Sequence, residues 1–251
     1  MTALPSRFRL IPQGPIPATA MVLAAGLGQR MRPLTRTRPK PLIRVGGRPL
    51  IDWVIDHLAD AGVETAVVNV HYLADQLEAH LKRADERLRI VISDEREQLL
   101  ETGGGVAKAL PLIDADPFYV INADNLWVDG AANALRQLAS QWDDSVMDAL
   151  LLLVPYARAE GYEGAGDFHM DQMGRLRRRV ERRLAPYVFS GIQILSKRLF
   201  TDLPEGPFSL NLLYDRAMEA GRLFGAQHAG LWYHVGTASA IEETEAALAR
   251  A

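Results

Sequence analysis

The sequence has no cysteine. Disulfides and thiolate metal sites are therefore excluded, and a reducing cytoplasm is the expected location. It has no long apolar run either. The stretch Ala149 to Val154 has the length of a strand, against the roughly 20 residues a membrane helix requires. The first 20 residues carry Pro5, Pro12, Pro15 and Pro17 without a continuous apolar core, so residues 1–18 read as an extended arm and not as a signal peptide. An excess of one charge is also missing. With 28 Lys and Arg against 31 Asp and Glu, the net charge of −3 gives no pull toward nucleic acid or a membrane surface. Six arginines crowd Arg175 to Arg183, but no aromatics interleave them, so a solvated hairpin face is expected there and not an RNA patch. His57, His71, His80, His169 and His228 show no metal-ligand spacing.

What remains is an ordinary soluble composition, 48% hydrophobic and 24% charged, enough for a sizeable core. Strands are predicted at Met21–Ala25, Thr65–Val70, Leu88–Ile92, Phe118–Ala123 and Ala149–Val154. Helices between them are predicted from Leu50 to Gly62, around Leu73, Leu77 and Leu81, from Thr102 to near Leu110, and from about Ala131 to Trp142. Strict alternation of this kind argues for a mostly parallel sheet covered on both faces. Beyond residue 155 the pattern becomes antiparallel. A hairpin is predicted at Phe168–Asp171 and Leu176–Glu181 around Met173-Gly174, then a strand Tyr187–Leu195. A helix Asn211–Ala220, strands Leu223–Ala226 and Leu231–Val235, and a helix Ala238–Ala249 follow. There is no internal repeat and no linker. One domain over 19–251 is expected, with an alternating half to about 125 and a more antiparallel half from about 126 after it.

The chemistry concentrates after the first strand. Gly26 and Gly28 allow a sharp turn and close approach to a ligand. Arg30, Arg32, Arg36, Arg38 and Lys40 follow, stiffened by Pro33, Pro39 and Pro41, and together they describe a polyphosphate cradle. The dinucleotide fingerprint fails because Met31 stands where its third glycine belongs, and no Gly-Lys-Ser/Thr closes a P-loop. In LLETGGG, Leu99 to Gly105, three glycines leave room for a flat base beside the Glu101 acceptor; the alternative is a helix start capped by Thr102. In VINADN, Asp124 ends a central strand, where open α/β sheets bind ligands; the alternative is an Asp–Asn turn. Asp116 and Asp129 read as turn or cap residues.

The run LAAGLGQRMRPLT with Pro39-Lys40-Pro41-Leu42 and VGGRPLI behind it resembles the signature of the sugar-1-phosphate nucleotidyltransferase family. The order of motifs down to VGT, Val235 to Thr237, extends that resemblance over nearly the whole chain. It implies a Rossmann-like (GT-A-like) three-layer α/β sandwich with a mostly parallel mixed sheet and a small antiparallel acceptor-side portion. Leu23, Ala24, Ala25, Gly26, Gly28 and Gln29 would then surround the nucleotide with Arg30, Lys40, Glu101, Thr102, Gly103 and Gly104. Arg30 and Lys40 would stabilise the reacting α-phosphate, and Asp124 would hold a catalytic Mg²⁺. Asn122, Gly166 and Asp167 of GAGDF, and Glu181 would face the sugar phosphate; the alternative for GAGDF is a loop into an edge strand. Relatives carry a second metal-binding acid before Val-Gly-Thr; here it is His234, an imidazole suited to a softer ion, to a bridging water or to a phosphate hydrogen bond; the alternative is a core histidine.

The implied reaction is Mg²⁺-dependent transfer of a nucleotidyl group from a nucleoside triphosphate to a sugar-1-phosphate, with small molecules as the only substrates. Within the family, LETGGG, KALPL and GDF most resemble members acting on N-acetylmuramate-1-phosphate with UTP. Guanylyl transfer to mannose-1-phosphate, thymidylyl transfer to glucose-1-phosphate, cytidylyl transfer to a non-sugar phosphate, and a silent nucleotide-sugar-binding relative are the alternatives. The chain ends soon after Val-Gly-Thr, so an appended acyltransferase domain is not expected. A monomer or homodimer is expected.

Overall fold

Apolar runs of five to seven residues bounded by Gly, Pro and Asp make the buried strands, and stretches with 3.6-residue periodicity make the helices that cover them. The structure, a computed structural model, describes residues 15–83 and 86–250; of the expected arm, residues 1–14 lie outside the described residues. The elements of the first half are β1 (Thr19–Leu23), β2 (Arg44–Val45), β3 (Arg48–Pro49), α1 (Leu50–Ala61), β4 (Thr65–Val70), α2 (Ala74–Leu81), β5 (Arg89–Asp94), α3 (Glu101–Ala109) and β6 (Phe118–Asn122). After them come β7 (Asn125–Val128), α4 (Ala134–Ser140), β8 (Ala149–Pro155), β9 (Ala159–Glu160), β10 (Phe168–Met170), β11 (Leu176–Arg178), β12 (Tyr187–Leu195), α5 (Asn211–Glu219), β13 (Leu223–Gln227), β14 (Leu231–His234) and α6 (Ala238–Leu248).

Nine strands form one sheet in the order β11-β10-β12-β6-β1-β4-β5, with β8 pairing β12 and β13 beside that path. Strands β6, β1, β4 and β5 run parallel, and β12 turns the sheet antiparallel at β6. The architecture is thus a mixed α/β fold with a mostly parallel centre and antiparallel strands contributed by the second half of the chain. Alternation along β1 shows why both faces are covered. Ala20 and Val22 join the core under α1, α2 and α4, while Met21 joins the one under α3 and α5. A third cluster, including Met31, Val45, Leu126, Tyr233 and Ala247, ties the glycine-rich loop to a small sheet of order β7-β14-β9 and to α6.

The structure moves some predicted boundaries. β1 stops at Leu23, not Ala25, because the Ala24 N–H leaves the ladder and donates to Asn69 Oδ1 (2.6 Å). α4 begins at Ala134, where Asn133 accepts the Arg136 N–H as its cap, three residues later than the periodicity predicts. β7 and β9 were not predicted: one follows Asp124 immediately and the other is two residues long, so neither shows a period. Thr102 is not the cap of α3. That place is taken by Leu100, and the Thr102 hydroxyl instead accepts from the Leu210 N–H at the start of α5. Asp129 does cap, accepting from Ala134 N, and Asp116 accepts from Lys197 N. No helix among the described residues is long and apolar enough to cross a membrane.

Candidate active site

The carboxyl ends of β1 and β6 carry a groove with two adjoining parts. One, about 330 Å³, is lined by Leu23, Ala24, Ala25 and Gly26 with Lys40 and Pro41, and on its far side by Asn69, Leu99, Glu101, Thr102, Asn122, Ala123 and Asp124. The other, about 380 Å³, runs past Gly28, Gln29, Arg30 and Gly236, and shares Gly26, Lys40, Leu99 and Asp124 with the first. Gly28, at φ +62, starts the short helical turn Gln29–Met31, a left-handed backbone that glycine adopts without strain. Arg30 is exposed on that turn and makes no ion pair among the described residues.

At the junction Lys40 Nζ donates to Asp124 Oδ2 at 2.5 Å, with side chains 12% and 35% exposed. Burial would raise the Asp124 carboxyl, but the Lys40 ammonium, by charge and hydrogen bond, holds it below the ordinary carboxylate range, aided by His234. His234 ends β14 opposite Asn125 of β7, one residue beyond Asp124. Its ring packs beside Trp232 and edge-on to Tyr162, and its nitrogens have no hydrogen-bond partner among the described residues. Burial pushes this imidazole down, and Lys40 and Arg30 act in the same sense against the Asp124 and Asp167 carboxylates, so it is neutral at pH 7.

Glu101 reaches the groove from the first turn of α3 with φ +60, a left-handed backbone rare outside glycine. Gly103 and Gly104, expected at the base, do not line the groove. Both of their N–H groups donate to the Phe208 carbonyl, and a Cβ on Gly103 would come within 2.4 Å of the Phe208 ring. Close packing of α3 against the 205–208 loop accounts for them. Gly103→Ala is therefore expected to lower Tm: overpacking costs about 1–3 kcal/mol, and each kcal/mol moves the Tm of a chain this size by about 2–4 °C. A Tm unchanged or raised in a thermal melt would show that the Phe208 contact does not require the glycine.

Among the residues expected at the sugar phosphate, Asp167 Oδ2 accepts from Phe189 N (2.8 Å), and its charge is felt at His234. Gly166 backs onto the Ala185 carbonyl. Glu181 is corrected: it stands in the loop after β11 with its side chain 89% exposed, its ion pair being with neighbouring Arg182 at 3.9 Å. Arg32, Arg36 and Arg38 are exposed, as expected of solvated charges. Asn69, Leu99 and Gly236 were missed. Asn69 had a readable signal, a polar residue inside the β-branched run TAVVNV, which must find a partner when buried.

A family model described as Nucleotidyl transferase matches residues 19–251. The chain belongs to the nucleotidyl transferase family, and it is an enzyme of that class. It is 46% identical to the N-acetylmuramate alpha-1-phosphate uridylyltransferase of Caulobacter vibrioides, over 94% of this chain and 98% of that protein. It is 36% identical to the enzyme of the same description from Neisseria meningitidis serogroup B, over 90% and 96%. The crystal structure of UDP-glucose pyrophosphorylase complexed with UDP-glucose shares the fold at a TM-score of 0.73 and 19% identity, covering 92% of this chain and 98% of that one.

Proposed function

We propose that this chain transfers the uridylyl group of UTP to N-acetylmuramate-1-phosphate. The observation that carries the reading is the Lys40–Asp124 contact, a cation and an acid joined where the two parts of the groove meet. The names of the two relatives supply the acceptor sugar and the base. In the reaction an acceptor phosphate oxygen bonds to the α-phosphorus as the bond from that phosphorus to the β-phosphate bridging oxygen breaks. Pyrophosphate leaves with the electron pair, and no covalent enzyme intermediate is required.

Such a transfer asks the protein for positioning and charge neutralisation. The Gly26–Gln29 backbone receives the triphosphate, and Arg30 and Lys40 balance charge on its non-bridging oxygens. The donor set fits Mg²⁺ in one way. Asp124 is a hard oxygen ligand one-third open to the groove, but the described residues gather no group of three or more His, Asp or Glu side chains able to hold a metal. Mg²⁺ commonly binds through one or two carboxylates plus substrate phosphates. Asp124 would hold such an ion, which would supply Lewis-acid stabilisation of phosphoryl charge; neutral His234 is better suited to a phosphate or a water than to Mg²⁺.

Glu101 supports uracil, since a carboxylate accepts the uracil N3–H whereas cytosine offers an acceptor there. Glu101→Gln is expected to narrow the UTP-over-CTP preference in kcat/KM about tenfold, the scale of one hydrogen bond in a specificity pocket. An unchanged ratio would remove Glu101 from base recognition. The reaction itself is tested by pyrophosphate release from UTP, dTTP, GTP and CTP paired with N-acetylmuramate-, glucose- and mannose-1-phosphate. UTP with N-acetylmuramate-1-phosphate is expected to give the highest kcat/KM. GTP with mannose-1-phosphate, or dTTP with glucose-1-phosphate, winning would reassign the substrates. Turnover with no pair would leave a nucleotide-sugar-binding relative, a reading that His234 in place of the family acid favours.

A further inference from the structure

Three neighbouring parallel strands, β1, β4 and β5, end side by side at the groove, and a single polar chain crosses all three ends. The Ala24 N–H, just past β1, donates to Asn69 Oδ1 of β4 at 2.6 Å. Asn69 Nδ2 donates to Glu95 Oε1, just past β5, at 2.7 Å, and the Leu100 N–H donates to Glu95 Oε2 at 3.3 Å. Glu95 is fully buried and Asn69 is 2% exposed. The direction of every bond is determined by the backbone. An N–H can only donate, so the Asn69 atom facing Ala24 is its oxygen, and the amide nitrogen is left to donate to the carboxylate. Leu100 is flanked by Leu99 and Glu101, and these, with Ala24 and Asn69, line the groove. Gly105 makes room for this chain, since a Cβ there would lie 2.9 Å from both Asn69 Nδ2 and Glu95 Oε1. That close approach explains the third glycine of LETGGG.

We propose that Asn69 and Glu95 are positioning residues that set the spacing of the two walls of the nucleotide pocket, the Ala24 loop and the Leu99–Glu101 turn. The proposal rests on the groove being the nucleotide site. A buried carboxylate met by neutral donors is costly unless both its oxygens are used. Here both are used, and what they hold is the ligand-facing backbone. In Glu95→Gln the new amide nitrogen faces either the Asn69 amide nitrogen or the Leu100 N–H, donor against donor. In Asn69→Asp two carboxylates meet. The double variant N69D/E95Q restores every donor to an acceptor: the new carboxylate takes the Ala24 N–H and an N–H of the new amide, whose oxygen takes the Leu100 N–H.

The test is steady-state kinetics on the wild type, the two single variants and the double variant, with UTP varied at saturating acceptor. Each single substitution is expected to raise KM for UTP about tenfold with kcat held within about threefold, and the double variant to return KM to within about threefold of wild type. A double variant whose KM is no lower than that of the worse single variant, or single variants with wild-type KM, overturns the proposal. Recovery of Tm without recovery of KM also overturns it, because that is a merely structural role. If a single variant does not fold, Gly105→Ala crowds the same chain more gently. A rise in KM with kcat retained supports the relay, and an unchanged KM overturns it. If the wild type turns over no substrate pair, the reaction proposed above fails while the relay is still read from calorimetric Kd values for UTP on the same proteins. A wild type that binds no nucleoside triphosphate overturns both.

Discussion

Lys40→Ala is expected to lower turnover at least ~100-fold, the scale of removing one preorganised charge from a transferring phosphoryl group. The ammonium is 12% exposed and held at 2.5 Å from Asp124, so it occupies one geometry before substrate arrives and needs little reorganisation when charge develops. Single-turnover pyrophosphate release is the measurement. Near-wild-type rates would mean that Lys40 serves only as the partner of Asp124. The substitution also has a pH signature. The folded-state pKa of Asp124 is depressed, chiefly by Lys40 working against burial. Its contribution to stability is therefore present above the unfolded-state value of about 3.9 and lost as pH falls through the lower folded value. The stability gap between wild type and Lys40→Ala, read from urea midpoints, is expected to be largest near neutral pH and to shrink below about pH 4.

Asp124→Asn keeps the shape of the side chain and removes its charge, and it is expected to lower kcat roughly 1,000-fold through loss of metal-assisted charge stabilisation. The half-saturating Mg²⁺ concentration is expected to rise in the same variant, because an amide oxygen is a weaker ligand than a carboxylate. Activity within about tenfold of wild type at the same Mg²⁺ would exclude Asp124 as the ligand of a catalytic metal. Since Lys40 and Asp124 touch, Lys40→Ala/Asp124→Asn is expected to lose less than the product of the two single losses.

The motif residues that the structure gathers at the groove are those whose chemistry is local. Gly26 and Gly28 follow a buried strand directly, Lys40 stands between two prolines, and Asp124 ends an apolar run. Each is legible because backbone freedom, a stiffened turn and a strand terminus are written in adjacent residues. Glu101, read as an acceptor beside the three glycines, also lines the groove.

Where local chemistry admitted two uses, the chain alone did not choose. Three consecutive glycines permit close approach to a base or to protein, and the protein used them: Gly103 and Gly104 for Phe208, Gly105 for Asn69 and Glu95. Glu181 sits in a plausible position along the chain and yet points into water, since β11 ends at Arg178 and its loop turns outward. The contact that defines the groove joins residues 84 positions apart, and the Asn69–Glu95 bond spans 26. Both depend on the strand order β6-β1-β4-β5, which periodicity does not encode.

By itself, then, the amino-acid order determined an alternating α/β chain with a glycine-rich, basic loop after its first strand and an acid at the end of a later one. Only the tertiary structure decided that Lys40 reaches Asp124, that His234 stands beside that acid as a neutral ring, and that Glu95 braces the walls of the pocket. The reason is physical: glycine freedom, strand propensity and helical period act over a few residues, whereas which strand lies beside which is settled by burial of both sheet faces at once.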